Sequence, residues 1–156
     1  MSRVVIIMGS KADLDWAEQI SRVLKGFEIE VISRIASAHK VPLKCYNLIK
    51  DYENVVFITI AGMSNALSGF TDAQTHCPVI ACPPYSDKFG GADLYSSIRM
   101  PSGVAPLTVI SPENAALAAA KILGLSNPGI QKRIIEFQDK KRKELEEADN
   151  NLVNEK

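Results

Sequence analysis

The chain has 156 residues, 46% of them hydrophobic and 23% charged, which fits one globular domain with a full-sized core. Its 18 basic residues balance its 18 acidic ones, so no overall positive charge favours nucleic acid or an anionic membrane as partner. The 3 cysteines form no Cys-x-x-Cys pair, and no apolar run approaches a membrane span, so we expect a protein of the reducing cytoplasm without disulfides or a zinc cluster.

Short apolar runs alternate with longer helical patterns along the chain. The runs predict strands over residues 4–8, 29–35, 55–60, 79–82 and 107–110, and the patterns predict helices over 13–24, 42–52, 67–74 and 112–123. Asp13 and Ser111 stand where N-caps of the first and last of these helices are expected. Strands that alternate with helices predict an α/β protein with a parallel sheet covered on both faces. A three-layer, flavodoxin-like doubly wound sheet fits this length best.

The segment from residue 85 to residue 106 is irregular and rich in glycine and proline, with a short helix predicted over residues 93–100. Long irregular segments in compact domains are usually functional, so we expect a lid or a subunit contact here. The prediction divides the chain into a catalytic domain, residues 1–126, and a C-terminal helix, residues 127–156. One face of that helix is apolar at Ile130, Ile134 and Phe137, and the pattern leaves open whether it is a solvated helix or packs on a neighbouring subunit.

The first loop whose residues could bind a ligand is Gly9-Ser10-Lys11-Ala12-Asp13, between the first strand and the first helix. A glycine permits close approach of a ligand, and the helix start offers free N–H groups beside the Ser10 hydroxyl. These features suit a phosphate. The loop lacks both the full dinucleotide fingerprint and the P-loop pattern, and a plain turn capped by Asp13 remains the alternative.

Ser37-Ala38-His39-Lys40 follows the second predicted strand and holds one of the chain's 2 histidines. Histidine, with an ordinary pKa of about 6.5, both takes and gives a proton near neutral pH. Ligands of open α/β sheets bind at the carboxyl ends of strands. A proton carrier beside the Lys40 cation therefore suggests acid–base chemistry on an anionic small molecule, against the alternative of two surface residues in a turn.

Small and glycine residues also follow the third predicted strand, at Ala61-Gly62-Met63-Ser64-Asn65-Ala66-Leu67-Ser68-Gly69. Such a loop lets a flat ring approach the main chain, although Asn65 and Ser68 are also typical turn and cap residues. His76 precedes the fourth strand, at the edge opposite the expected site, and Cys82 follows a buried strand, so structural roles are favoured for both. Neither Asp87 nor Asp93 has a histidine or cysteine at ligand spacing, and no metal site is predicted.

Taken together, these motifs closely resemble the phosphoribosylaminoimidazole carboxylase family of purine biosynthesis, over about residues 4–125. One class of that family, the N5-carboxyaminoimidazole ribonucleotide mutases, usually reads Ser-Ala-His-Arg and Gly-Gly-Ala-Ala-His-Leu-Pro-Gly. The other class carboxylates aminoimidazole ribonucleotide directly with carbon dioxide. It resembles this chain in Ser-Ala-His-Lys, in Ser-Asn-Ala-Leu-Ser-Gly and in Asp-Leu-Tyr-Ser-Ser-Ile-Arg-Met-Pro-Ser-Gly. Two positions depart from the pattern, since Ala12 replaces a usual serine and Met63 a frequent arginine.

The resemblance implies a role for each motif. His39 is the expected catalytic residue that moves the C4 proton of the imidazole. Further residues are expected to bind the substrate: Gly9, Ser10, Asp13, Ser37, Ala38, Lys40, Gly62, Met63, Ser64, Asn65 and Ser68. Ser10 and Lys40 are assigned to the phosphate, and Asp13 to the ribose hydroxyls. The resemblance also implies a cytoplasmic homo-octamer without a cofactor or metal, and with no nucleic-acid or membrane partner.

Two alternatives stay open at this point. The nearer one is the mutase activity of the sister class, which uses an N5-carboxylated substrate. The remoter one is a non-catalytic flavodoxin-like binding module, for example for flavin mononucleotide. A phospho-signal receiver is disfavoured because Gly9-Ser10 stands where such a module has clustered acidic residues.

Overall fold

The computed structural model describes residues 2–154, and a parallel sheet with the strand order β2-β1-β3-β4-β5 lies at its centre. Parallel pairing between β1 and β2 sets Met8 beside Ile35, and pairing between β1 and β3 sets Met8 beside Ile60. The strands are β1 (Arg3–Met8), β2 (Glu30–Ile35), β3 (Val56–Ile60), β4 (Val79–Ala81) and β5 (Leu107–Thr108). The order is that of a flavodoxin-like sheet, so the predicted fold class is confirmed.

Helices lie on both faces of the sheet. They are α1 (Leu14–Gly26), α2 (Pro42–Lys50), α3 (Ala66–Asp72), α4 (Tyr95–Ile98), α5 (Pro112–Gly124) and α6 (Pro128–Asn154). Two 3₁₀ segments, Lys11–Asp13 and Lys88–Leu94, precede α1 and α4. Where residues 93–100 were predicted as one short helix, the chain has the end of a 3₁₀ segment and a single α-helical turn. Strand β5 ends at Thr108, two residues earlier than predicted.

Alternate residues of the buried strands pack in two separate hydrophobic cores, one on each face of the sheet. Val4, Ile6 and Ile58 point to the side covered by α1, α5 and α6. Val5, Ile7 and Phe57 point to the side covered by α2 and α3. A strand that is apolar on both faces is what a parallel sheet between two helical layers requires. Because helices cover both faces of the sheet, the carboxyl ends of the strands are lined by the loops that follow them.

Two predicted helix caps differ from the structure. The Asp13 side chain makes no capping bond to α1, because it pairs with Ser10 at the start of the preceding 3₁₀ segment. Ser111 occupies the N-cap position of α5, but its side chain makes no capping bond either. Pro112 at the first position of that helix has no N–H to cap.

The C-terminal helix α6 has two differently placed parts. Ile130 and Ile134 are buried in the α1 side core, and the Phe137 ring meets Phe27 edge to face, with ring centroids 5.4 Å apart. The apolar face recognised in the sequence therefore packs on its own chain. From Lys141 to Asn154 every residue is exposed, so contact with a neighbouring subunit stays a prediction for this part. The ends of the two predicted segments, residues 1 and 155–156, lie outside the described residues.

Across residues 2–154, no helix combines the length and the apolar character that a membrane span needs.

Candidate functional site

The loops after β1, β2 and β3 meet at one edge of the sheet. The Gly9 N–H donates to the Ile60 carbonyl at 2.8 Å, and the Ala36 N–H donates to the Met8 carbonyl at 2.9 Å. A Cβ on Gly9 would lie 3.4 Å from the Cβ of Ala61, so glycine permits this close approach. The structure thus brings the predicted motifs of residues 9–13, 37–40 and 61–65 together.

Ser10 and Asp13 form a capping box at the first of these loops. One carboxylate oxygen of Asp13, Oδ2, accepts from the Ser10 N–H at 2.9 Å and from the Ser10 hydroxyl at 3.1 Å. The same hydroxyl accepts from the Ala12 N–H at 3.2 Å. Both groups expected to bind substrate are thereby fixed against each other. Neighbouring Lys11 is exposed and is the one cation of this loop.

The His39 loop is a short turn held by Ser37. The Lys40 N–H donates to the Ser37 hydroxyl at 3.2 Å, and the Val41 N–H donates to the Ser37 carbonyl at 3.0 Å. Ala38 packs against the α2 side core and anchors the turn. The side chains of His39 and Lys40 remain exposed at the rim of the site. We call residues 9–13 and 37–40 the local loops, because the bonds that shape their polar side chains stay within three residues.

The loop after β3 is held by a buried polar network. Met63, at φ 58°, is 70% exposed, whereas Asn65 is buried. The Asn65 amide donates to the hydroxyls of Ser68 at 2.7 Å and Ser97 at 2.9 Å, and its oxygen caps α3 by accepting from the Ser68 N–H at 3.1 Å. Asn65 and Ser68 therefore have the cap role that the sequence left open. Thr59 completes the network, with its hydroxyl 2.8 Å from that of Ser68.

Ser96 joins the same loop to the irregular segment. Its hydroxyl accepts from the Asn65 N–H at 2.9 Å and lies 2.7 Å from the Asp93 carbonyl and 3.3 Å from the Met63 carbonyl, both of which are acceptors. One side chain thus fixes the main chain on both sides of Ser64. We call residues 61–68 and 93–98 the networked loops.

The second half of the irregular segment is docked rather than free. A Cβ on Gly69 would lie 2.9 Å from the Met100 sulfur, so this glycine admits the Met100 side chain against α3. The Ala105 N–H donates to Asp72 Oδ2 at 2.7 Å. The exposed part lies earlier, where Phe89 is 85% exposed and begins a run of positive φ angles through Gly91. A lid role remains a prediction for residues 85–92 only.

A cavity of about 190 Å³ lies between the networked loops and the chain after β4. Its walls include Gly62, Pro84, Asp93, Leu94 and Ile110. Of the predicted site residues only Gly62 lines it. The sequence marked Asp93 only as an acidic group of the irregular segment and Ser96 only as part of a polar motif. The contact of Ser96 with the loop after β3 joins residues 31 positions apart, which no local pattern reveals.

Cys82 and His76 occupy structural surroundings, as the sequence favoured. Cys82 is fully buried, and this burial raises the pKa of its thiol to about 11, while the Trp16 side chain lowers it to a smaller extent. A protonated thiol is a poor nucleophile. His76 is exposed just before β4, at the edge opposite the site. Within residues 2–154, no cluster of three His, Cys, Asp or Glu side chains could hold a metal ion.

Comparison with known proteins agrees with this architecture. A family model described as AIR carboxylase matches residues 3–144. Phosphoribosylaminoimidazole carboxylase of Archaeoglobus fulgidus is 59% identical over 96% of this chain and 84% of its own length. N5-carboxyaminoimidazole ribonucleotide mutase of Methanocaldococcus jannaschii is 40% identical over 94% of each chain. The crystal structure of Treponema denticola PurE superposes with a TM-score of 0.96 at 44% identity, covering 97% of this chain and 99% of the other.

Proposed function

The chain belongs to the AIR carboxylase family of de novo purine biosynthesis, and we propose that it carboxylates 5-aminoimidazole ribonucleotide directly with carbon dioxide. The observation that carries the proposal is the meeting of the His39 loop with the loops of Gly9 and Gly62 at the carboxyl edge of the sheet. That edge is where ligands of doubly wound sheets bind.

The proposed reaction forms one carbon–carbon bond and releases one proton. Ring carbon C4, made electron-rich by the neighbouring amine, attacks the carbon of carbon dioxide, whose oxygens become a carboxylate. The intermediate then carries both hydrogen and carboxylate at C4. His39 takes the C4 proton, so the electrons of the C–H bond restore the aromatic ring. In the reverse direction His39 returns that proton and carbon dioxide leaves.

Substrate binding is divided among the local loops in this proposal. Lys40 and Ser10 hold the phosphate, and Ser37 and Ala38 shape the turn that presents His39. Asp13 takes the ribose hydroxyls. Because Oδ2 of Asp13 already binds Ser10, the other oxygen, Oδ1, is assigned to the sugar.

The loop after β3 forms the platform for the ring. Gly62 offers open main chain, and exposed Met63 and Ser64 lie at its rim. Asn65 and Ser68 support this loop from below through the buried network, so we propose that they act on substrate by positioning the main chain.

The exposure of His39 in the single chain bears on assembly. A carboxylation of this kind needs a site that excludes water around carbon dioxide and the new carboxylate. We therefore propose that a homo-octamer of the cytoplasm is the working form and that a neighbouring subunit covers the rim. Light scattering of the purified protein tests the octamer.

The mutase reaction is the second candidate, and the 40% identity to the Methanocaldococcus jannaschii mutase favours it. Lys40, where mutases usually have arginine, favours the direct route. One assay separates them: the protein receives aminoimidazole ribonucleotide with carbon dioxide in one reaction and the N5-carboxylated ribonucleotide in another. We expect product formation from the first pair. Turnover of the N5-carboxylated compound alone would overturn the direct route in favour of the mutase.

A further inference from the structure

Tyr85 is an exposed aromatic residue between two parts of the proposed site. Its side chain is 69% exposed, and its ring meets that of Trp16 edge to face, with ring centroids 5.1 Å apart. Tyr85 also lines the cavity of about 190 Å³ whose wall includes Gly62. It therefore adjoins α1 on one side and the cavity beside the ring platform on the other.

Trp16 connects Tyr85 to the loop that is assigned to the ribose. It belongs to the first turn of α1 and follows Asp13 by three residues, so the two lie about one helical turn apart. Trp16 packs against the α1 side core, and its side chain lies beside the buried thiol of Cys82. The indole is thus held by its own chain and gives Tyr85 a surface to rest on.

The main chain that leads to Tyr85 has little conformational freedom. Cys82 follows β4 and is fully buried, and Pro83 and Pro84 come next. Each proline ring fixes the φ angle of its own residue and restricts the residue before it. Because Tyr85 is placed before a ligand arrives, little entropy is lost when it makes contact with one.

The cavity next to Tyr85 has both apolar and polar walls. Pro84 and Ile110 supply apolar surface, Ser86 and Asp93 supply polar groups, and Tyr85 supplies an aromatic ring. At about 190 Å³ the cavity is several times the roughly 30 Å³ share of one water molecule, which leaves room for a five-membered ring. A flat ring with polar edges fits walls of this mixed character.

We propose that Tyr85 contacts the substrate and packs its ring against the imidazole of the ribonucleotide beside the platform at Gly62. The inference rests on the proposed function, because it takes that imidazole as the ligand. A nucleotide held at Asp13 by its ribose and at Gly62 by its base passes beside Tyr85, which adjoins α1 through Trp16 and shares the cavity with Gly62. Contact between an aromatic side chain and a flat base is favourable, so Tyr85 distinguishes a nucleotide from a bare sugar phosphate.

The test compares two ligands that differ in the ring. Calorimetry measures the binding of aminoimidazole ribonucleotide and of ribose 5-phosphate to the wild type and to Tyr85→Ala. We expect the variant to bind the ribonucleotide about tenfold more weakly, as for the loss of one base–aromatic contact, and to bind ribose 5-phosphate with unchanged affinity. An equal loss for both ligands would overturn the inference, and so would an unchanged affinity for the ribonucleotide.

Two tyrosine variants serve as controls. Tyr85→Phe keeps the ring and loses only the hydroxyl, so its affinity for the ribonucleotide should stay within about twofold of the wild type. Tyr46→Ala removes another exposed tyrosine, on α2, and should leave both affinities unchanged. A loss in Tyr85→Phe as large as that in Tyr85→Ala would assign the effect to the hydroxyl and contradict the ring contact.

Trp16 is a positioning residue in this inference. Trp16→Leu keeps an apolar side chain against the core but removes the aromatic partner of Tyr85, so it should weaken ribonucleotide binding by about threefold without changing the affinity for ribose 5-phosphate. Trp16→Phe keeps an aromatic partner and should restore the wild-type affinity. A loss shared by both ligands in Trp16→Leu would show a general structural role and contradict the positioning of Tyr85.

The wild type separates the inference from the proposed function. We expect it to bind the ribonucleotide more tightly than ribose 5-phosphate. If Tyr85→Ala retains that preference in full, the role of Tyr85 is refuted and the proposed function stands. Wild-type protein that does not bind the ribonucleotide would refute the proposed function and the inference with it.

Discussion

The local loops and the networked loops hold their polar side chains in different ways. In the local loops the shaping bonds join residues three apart, Ser10 to Asp13 and Ser37 to Lys40, and His39 stays exposed. In the networked loops Asn65 binds Ser96 and Ser97, which lie 31 and 32 residues further along the chain. The comparison indicates that the side proposed to move the proton is shaped by short sequence motifs, whereas the proposed ring platform depends on the completed fold.

The largest effect should come from His39. Replacing His39 with asparagine removes the proposed proton carrier, so we expect carboxylation and decarboxylation to fall by about 10²- to 10⁴-fold. Because the side chain is exposed, the free energy of unfolding should change by less than about 0.5 kcal/mol. Steady-state kinetics and urea unfolding measure the two effects. An unchanged turnover rate would remove His39 from the mechanism.

A substitution of Asn65 tests the networked loops through stability, whereas the substitution of His39 tests the local loops through activity. Asn65→Ala deletes the cap of α3 and leaves the buried hydroxyls of Ser68 and Ser97 with fewer partners. The expected loss in the free energy of unfolding is about 3 kcal/mol. Chemical denaturation measures it, with exposed Asn47→Ala as the control. A loss similar to that of the control would mean that the network contributes little to stability.

Lys40 should affect ligand binding without affecting stability. Converting Lys40 to methionine removes a cation from the proposed phosphate site, which corresponds to about 2 kcal/mol for a charge-assisted bond, or roughly a 30-fold weaker affinity. Calorimetry with the ribonucleotide and with its dephosphorylated nucleoside measures this. Affinity for the nucleoside should not change. If the variant still distinguishes the two ligands as the wild type does, the phosphate lies elsewhere.

Ser96 should give the smallest effect of the four. Ser96→Ala removes the hydroxyl that joins Asn65 to Asp93, with an expected cost of about 1 kcal/mol in unfolding free energy. We expect a lower kcat with little change in phosphate affinity, since the platform shifts while the local loops do not. Ser102→Ala, at an exposed position of the same segment, is the matched control. Equal kinetics in the two variants would separate Ser96 from the platform.

Most of the fold and half of the site follow from the sequence. Apolar runs such as residues 4–8 are a local signal, and the order of strands and helices leaves few topologies open. The Ser37 turn could also be predicted, because its bonds join neighbours. Asp13 stands at the predicted N-cap position of α1, but its carboxylate binds Ser10, which opens the preceding 3₁₀ segment, and makes no capping bond to α1.

The remaining features depend on contacts between distant parts of the chain. No sequence pattern around Gly69 predicts that Met100 packs on it, and none around Asn65 predicts its hydrogen bond to Ser97. The apolar face of α6 was recognised, but its partner was not. That face packs on residues of α1, α5 and the chain around Phe27, which become neighbours only when the sheet is complete.

The buried network also bears on the order in which the protein folds. It joins the end of β3 to α3 and α4, and the Thr108 hydroxyl of β5 donates to the Ser97 carbonyl at 3.0 Å. Of these bonds, the one from Thr108 requires the last strand of the sheet to be in place, so we expect it to form after the pairing of β1, β2 and β3. Late-forming bonds are weak or absent in the folding transition state and mainly slow unfolding. We therefore expect the bond from Thr108 to Ser97 to slow unfolding more than it speeds folding.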